Sequence, residues 1–312
     1  MLIAGPNLTL DRVLRIDELR PGEVLRFSDA TIAPGGKGVN VARVARVMGF
    51  PAVLVATAPG RTGLAAVELL GDEGLAVAAV PVEGEVRAAS IVVERSGRIT
   101  VLNEPGPTIT AEDWEAYEEA IDKHLAGHAW LVCIGSTSPG SPADAYGRLV
   151  RMARSRGAGT LVDAAGPVLA AALEEGPDLV TPSLAEAEGV LHGTAVQPAA
   201  ERSPEEHDRA MRAAGALVER GAGSALVTVA SGVAVEGRSG GFWVDAPAAE
   251  VRNPIGAGDS LVGGLVGSLE RGEEFRAALR LGVAAAAASV ETDLPGSVDA
   301  TRVRALIPQV KG

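Results

Sequence analysis

Short apolar runs alternate with amphipathic segments along most of the 312 residues, and this period limits the fold more than any other feature. "MLIAG", "AVLVATA", "LVCIG", "GTLVDAAG", "DLVTPS" and "ALVTVA" read as strands buried on both faces, each bounded by Gly, Pro, Ser or Asp. Between them, "TGLAAVELLGDEG", "SPADAYGRLVRMARSRG" and "EEHDRAMRAAGALVERG" carry helical spacing and end in or near glycine. Strand and helix in alternation predict βαβ units around one mostly parallel sheet, with helices on both faces. Ligands of such sheets lie at the carboxyl ends of the strands. Hydrophobic residues make up 47% of the chain and aromatics only 3%, so the core must be built from small aliphatics.

Two stretches break the period. Residues 12 to 34 include "VLRID" and "EVLRFSDATIAP"; residues 90 to 102, "SIVVERSGRITVL", alternate apolar and polar positions around a turn at Ser96-Gly97. Both predict antiparallel strands with one wet face, and together a small sheet over the cleft of the main domain. No internal repeat, low-complexity linker or composition shift divides residues 1–312, so one domain is expected, with a lid from about 12–34 and 87–104.

The net charge of −12 argues against a nucleic-acid partner, and an anionic ligand would need a local cationic pocket against that field. One cysteine, Cys133, excludes an internal disulfide and a Cys-based zinc cage. The N-terminus lacks a basic region followed by an apolar one, and "LGVAAAAASV" is too short to span a bilayer. A cytoplasmic protein without membrane association is expected.

Three segments carry candidate chemistry. "APGGKGVNVARVARVMG" (33–49) runs a glycine cluster into a helix, where backbone N–H groups and Lys37 suit an anion; a tight turn with an exposed lysine explains it equally. Asn40, in the first helical turn, either caps locally or bonds a ligand hydroxyl. In "VRNPIGAGDSLVGGLVGSLERG" (251–272), Gly256, Ala257 and Gly258 bring amides to a helix start, and Asp259 follows them. Asp259 is then a helix cap or a base accepting a proton from a hydroxyl that attacks a cradled phosphate. Asp11 in "PNLTLDR", Arg87 before the second hairpin and Asn103 at its end are further candidates, each with a bland reading: a solvated acid, an edge charge, a turn residue.

Taken together, these segments resemble the PfkB, or ribokinase-like, family of carbohydrate kinases nearly end to end. "NLTLDR" is similar to the family's N-P-x-L-D segment, "GGKGVNVAR" to its first signature and "NPIGAGDSLVGG" to its second. "NEPGP", "GSTSPG" and "VDAAG" fall where the family has N-E-P-G-P, G-S-L-P-P-G and a D-x-S-G-like turn. G-G-K-G-x-N with N-E-P-G-P points to the hexose-phosphate branch, which contains 1-phosphofructokinase and tagatose-6-phosphate kinase. The resemblance implies a three-layer α/β/α domain with a small antiparallel β lid, often used to pair subunits into a homodimer. It implies Asp259 as general base, and Gly256, Ala257 and Gly258 as an anion hole. Asp11, Gly36, Lys37 and Asn40 would hold sugar hydroxyls; Arg87, Lys37 and Ser136 would hold the phosphate already on the sugar, with Asn103 beside them. On the nucleotide side it implies Ser183, Thr228, Gly232 and Ser289 as contacts, Glu186 as the acid facing Mg²⁺ through water, and ATP as co-substrate.

The departures cluster on that nucleotide side. Where the family commonly has K-P-N-x-x-E, this chain reads Thr181-Pro182-Ser183-Leu184-Ala185-Glu186, and "VTVASGVAVEG" is one residue shorter than the family's segment. The expected activity is phosphorylation of a ketohexose monophosphate, fructose 1-phosphate first, with tagatose 6-phosphate or fructose 6-phosphate next. The alternative is a sugar-phosphate-binding paralogue with a weakened nucleotide site.

Overall fold

The computed structural model describes residues 1–194, 205–237 and 240–312. The strands, in chain order, are β1 (Leu2–Ala4), β2 (Thr9–Ile16), β3 (Asp29–Gly35), β4 (Val53–Pro59), β5 (Val77–Val82), β6 (Arg87–Glu94) and β7 (Ile99–Asn103). They continue as β8 (Trp130–Ile134), β9 (Gly159–Asp163), β10 (Leu179–Val180), β11 (Ser224–Val229), β12 (Gly232–Gly237) and β13 (Phe242–Asp245). The helices are α1 (Lys37–Met48), α2 (Gly60–Asp72), α3 (Ala111–Leu125), α4 (Ala145–Ser155) and α5 (Gly166–Glu174). They are followed by α6 (Leu184–His192), α7 (Glu206–Glu219), α8 (Ala257–Glu270), α9 (Phe275–Ser289) and α10 (Ala300–Leu306).

Nine strands form the main sheet in the order β13-β12-β11-β10-β9-β8-β1-β4-β5. All its pairings are parallel except those of β12 with β11 and β13, which turn one edge antiparallel. Each apolar run feeds both faces. At β1, Ile3 and the preceding Met1 join a core with α1, α8, α9 and α10, while Leu2 and Ala4 join a second core with α3, α4, α5 and α7. On β8 the same alternation sends Val132 and Ile134 to the first core and Leu131 and Cys133 to the second. Two buried faces explain why these strands read as unbroken apolar runs.

The small sheet has the order β3-β2-β6-β7. Its outer pairings are antiparallel hairpins, as expected, but β2 and β6 pair in parallel from Thr9↔Arg87 to Ile16↔Glu94. The two hairpins therefore join side by side in the same sense, a relation that the alternation within either one does not encode. Asp11 lies on β2, which begins at Thr9, so the residue expected in a loop belongs to one of the two inner strands of the small sheet.

Candidate active site

Two helix N-termini meet where the strands of the main sheet end. Gly36 is the N-cap of α1 and Gly256 that of α8; neither helix has a side-chain cap. Their first-turn amides have no intrahelical acceptors, and the residues that carry them line the cleft. Both glycines have positive φ, 110° and 85°, so the backbone turns into the helix in a conformation that a side chain would strain.

The cleft between the two sheets encloses about 810 Å³. Asp11, Gly36, Lys37, Asn40, Arg87, Asn103 and Ser136 all line it, with Gly256, Ala257, Gly258 and Asp259 at its base. A second cavity of about 1100 Å³ opens between α6, α9 and the segment 246–251. The two share Ser183, Glu186, Thr228, Pro254, Ala257 and Gly258, so the Gly-Ala-Gly turn is the sill between them. Thr228 and Gly232 line the second cavity, whose far wall is Leu261, Val283, Ala286, Ala287 and Val290.

At the sill, Asp259 is 5% exposed, the third residue of α8, and accepts a hydrogen bond from Asn40 Nδ2 at 2.8 Å. Burial pushes its carboxyl up to about 7; Lys37 and the Asn40 hydrogen bond oppose this, while Asp163 and Glu186 add to it. A carboxyl poised there changes protonation near neutrality, as a general base must. Lys37 Nζ lies 2.6 Å from Asp163 Oδ1 and 3.5 Å from Glu186 Oε1. Burial alone would lower its pKa, but Asp163, Glu186 and Asp259 outweigh that and raise it, so the ammonium stays charged.

Arg87 forms the opposite wall. Its guanidinium makes only long bonds, 3.4 Å each, to the carbonyl oxygens of Glu104 and Asn7, and its Nε is buried with no partner. Among the described residues no carboxylate pairs with it. Burial lowers its pKa; Asp11 and Glu104 offset part of that. Asp11 Oδ1 accepts from Thr9 Oγ1 at 3.0 Å, and burial raises the carboxyl above its ordinary range. A Cβ on Gly35 would lie 2.1 Å from Asp11 Oδ2, so the carboxylate occupies space that only glycine leaves open. Ser136 Oγ accepts from Asn7 Nδ2 at 3.1 Å, which leaves its own hydroxyl hydrogen free for a ligand.

A model of the pfkB family carbohydrate kinases matches residues 7–300. The chain belongs to the PfkB family. Membership makes it a carbohydrate kinase with ATP as co-substrate. The 1-phosphofructokinase of Bacillus subtilis strain 168 is 29% identical over 306 residues, covering 98% of this chain and 96% of that protein. The 1-phosphofructokinase of Escherichia coli K12 is 30% identical over 307 residues, covering 97% and 95%. Among solved structures, the tetrameric inhibited form of phosphofructokinase-2 from Escherichia coli superposes with a TM-score of 0.87 at 27% identity, covering 99% of this chain and 98% of that one. The three-layer ribokinase-like fold with its small second sheet is thus that of the family.

Not every expected residue faces this PfkB cleft. Ser289 is 2% exposed, lines neither cavity, and gives its hydroxyl hydrogen to Ala286 O one turn back in α9. Ser183 lines both cavities, but its hydroxyl is engaged in a capping box with Glu186 that starts α6. Lys37, expected beside Arg87, points instead to Asp163 and Glu186. Asp163 is the residue that sequence reasoning passed over. It is buried at the end of β9, joined to Lys37 and, through Oδ2, to Thr181 Oγ1 at 3.2 Å. The signal was present as an acid ending an apolar run ahead of Ala-Ala-Gly.

Proposed function

We propose that the protein transfers the γ-phosphoryl of ATP to a ketohexose monophosphate, fructose 1-phosphate in the first place, giving fructose 1,6-bisphosphate; tagatose 6-phosphate and fructose 6-phosphate come next. One observation carries the phosphorylated-sugar part of this reading: the cleft's far wall presents Arg87 with a buried, unpartnered Nε and no carboxylate mate. A guanidinium left so is matched by a phosphate, which can accept two parallel N–H bonds. The relatives named as 1-phosphofructokinases favour fructose 1-phosphate among the candidates.

The sugar lies against β2, β6 and β7 with its phosphate at Arg87 and Ser136, and Asp11 and Asn103 beside it. Its attacking hydroxyl gives its proton to Asp259 as the oxygen bonds to phosphorus, and the bond to the β-phosphate oxygen breaks. Charge spreading over the transferred oxygens meets the uncapped amides of Gly256, Ala257 and Gly258 and the α8 dipole. Lys37 lies on the same side with its charge intact.

A divalent ion fits this donor set in a limited way. Among the described residues no three acidic, His or Cys side chains form a cage. Glu186 Oε2 is held by Ser183 and Oε1 lies 3.5 Å from Lys37 Nζ, with the residue lining the shared sill, and Mg²⁺ characteristically takes one or two carboxylates with waters and substrate phosphates. Glu186, through water, is therefore the residue that would hold Mg²⁺, which supplies neutralising charge to the nucleotide phosphates when bound. No described helix is long and apolar enough to cross a membrane. A homodimer through the small sheet completes the reading; Ile32, Val101 and Leu102 are exposed on its two edge strands.

A coupled ADP-release assay across fructose 1-phosphate, tagatose 6-phosphate, fructose 6-phosphate and free fructose, with and without Mg²⁺, tests the proposal. Highest kcat/KM on fructose 1-phosphate supports it. Preference for free fructose would overturn the role given to Arg87.

A further inference from the structure

Asn40 is the fourth residue of α1 and 4% exposed. Its Nδ2 donates to Asp259 Oδ2 at 2.8 Å, while its own Oδ1 is buried with no hydrogen-bond partner. A buried carbonyl without a donor is a standing cost that a fold avoids unless something else holds the amide in place. Turning the amide over would set Oδ1 against the carboxylate, acceptor to acceptor, so Asp259 dictates the orientation.

Two glycines close the seat around it. A Cβ on Gly296, whose φ is 67°, would lie 2.5 Å from Asn40 Cα and 2.7 Å from Oδ1. A Cβ on Gly256 would lie 2.8 Å from Gly296 N and 3.3 Å from Asn40 Nδ2. The amide is thus wedged between the turn at Pro295-Gly296 and the N-cap of α8, with one of the two Nδ2 hydrogens aimed at Asp259. An asparagine that reads a sugar hydroxyl as acceptor would need Oδ1 open to the cleft; here Oδ1 is sealed, and Nδ2 already gives one of its two hydrogens to Asp259.

We propose that Asn40 is a positioning residue for Asp259: it fixes the carboxylate with Oδ1 free toward the cleft and sustains its ionised form. The inference rests on Asp259 being the general base. The charged groups facing that carboxylate are Lys37 from α1, which favours ionisation, and Asp163 at the end of β9 and Glu186 on α6, which oppose it. Burial opposes ionisation most, so the hydrogen bond from Asn40 and the charge of Lys37 are what hold the base down.

The test is the pH dependence of kcat/KM in the ADP-release assay for wild type, Asn40→Leu and Asn40→Asp. Asn40→Leu keeps the branched heavy-atom shape, with larger methyl groups, and loses the donor; the acid limb should move up by one pH unit or more, while sugar-phosphate KM at pH 9 stays within threefold of wild type. An unmoved limb with KM raised tenfold would make Asn40 a sugar ligand and overturn the proposal. Where the leucine variant does not fold, Asn40→Asp, of nearly the same shape, must also raise the limb, because two adjoining carboxylates share one proton; no shift there overturns it as well. Wild-type protein inactive on every sugar phosphate would instead refute the proposed activity, while activity with an unmoved limb in both variants refutes this inference alone.

Discussion

Asp259 carries two opposite obligations, and one substitution separates them. Asp259→Asn should lower kcat by about 10² or more, the usual scale for a lost general base, with sugar-phosphate affinity retained in a titration. The same change should stabilise the fold. In the folded chain the carboxyl titrates at about 7, against an ordinary 3.8, so the unfolded chain releases that proton first and stability falls as pH rises between the two values. Above pH 7 the whole cost is present, and Asp259→Asn should be more stable there by roughly 2–4 kcal/mol, an advantage that fades toward pH 4. Urea melts at pH 8 and pH 4.5 measure it; equal midpoints at pH 8 would show that the carboxylate is not held at a cost. At the other wall, Arg87→Ala should raise KM for the phosphorylated sugar by about ten- to a hundredfold, corresponding to roughly 1.5–3 kcal/mol for a charge-assisted bond, and leave free fructose unaffected. Equal losses for both sugars would remove Arg87 from phosphate recognition.

At the scale of elements, the small residues after Asp259 set how closely α8 meets α9. A Cβ on Gly264 would stand 2.9 Å from Gly282 Cα, and one on Gly282 would stand 2.7 Å from Leu261 O. Backbone is in the way in both cases. Gly264→Ala should therefore cost about 1–3 kcal/mol in a urea melt and reduce turnover too, since α8 carries the Gly-Ala-Gly amides and Asp259, the proposed base. Wild-type stability in this variant would mean that the helices separate freely. The junction of β10 and α6 behaves differently. Three carboxylates, Asp163, Glu186 and Asp259, share one ammonium, Lys37, and Thr181 adds only a hydroxyl. Thr181→Lys should tighten binding of a non-hydrolysable ATP analogue with Mg²⁺ by about tenfold or more, as one lysine–phosphate contact does. If wild type binds at low micromolar Kd and the lysine adds nothing, the site is not short of charge. The apolar runs and glycine-led helix starts were legible in the sequence because strand burial and helix entry are local properties. The pairing of Lys37 with Asp163 was not, because it joins the start of α1 to the end of β9 across the fold. Ser289 shows a related limit: its place in the sequence does not reveal that the turn of α9 directs its hydroxyl to Ala286 O.

For the molecule as a whole, three of the exposed large apolar residues, Ile32, Val101 and Leu102, lie on the edge strands of the small sheet. Leu102 is 62% exposed and Ile32 58%, on its opposite edge strands. Edge strands with bare apolar side chains invite pairing with a second copy. Sedimentation should show a dimer at micromolar concentration, and Leu102→Glu should shift it toward monomer; a monomeric wild type would leave that surface without a role in self-association. The main sheet was readable from its period alone, whereas the joining of the two hairpins was not, since β2 finds β6 only after β3, α1, β4, α2 and β5 have intervened. That pairing has a consequence for how the chain comes to be folded. A parallel contact between strands so far apart must close a long loop before it is rewarded, so it forms late. During synthesis β2 therefore waits with one edge unpaired, open to misassociation, until Glu94 has left the ribosome.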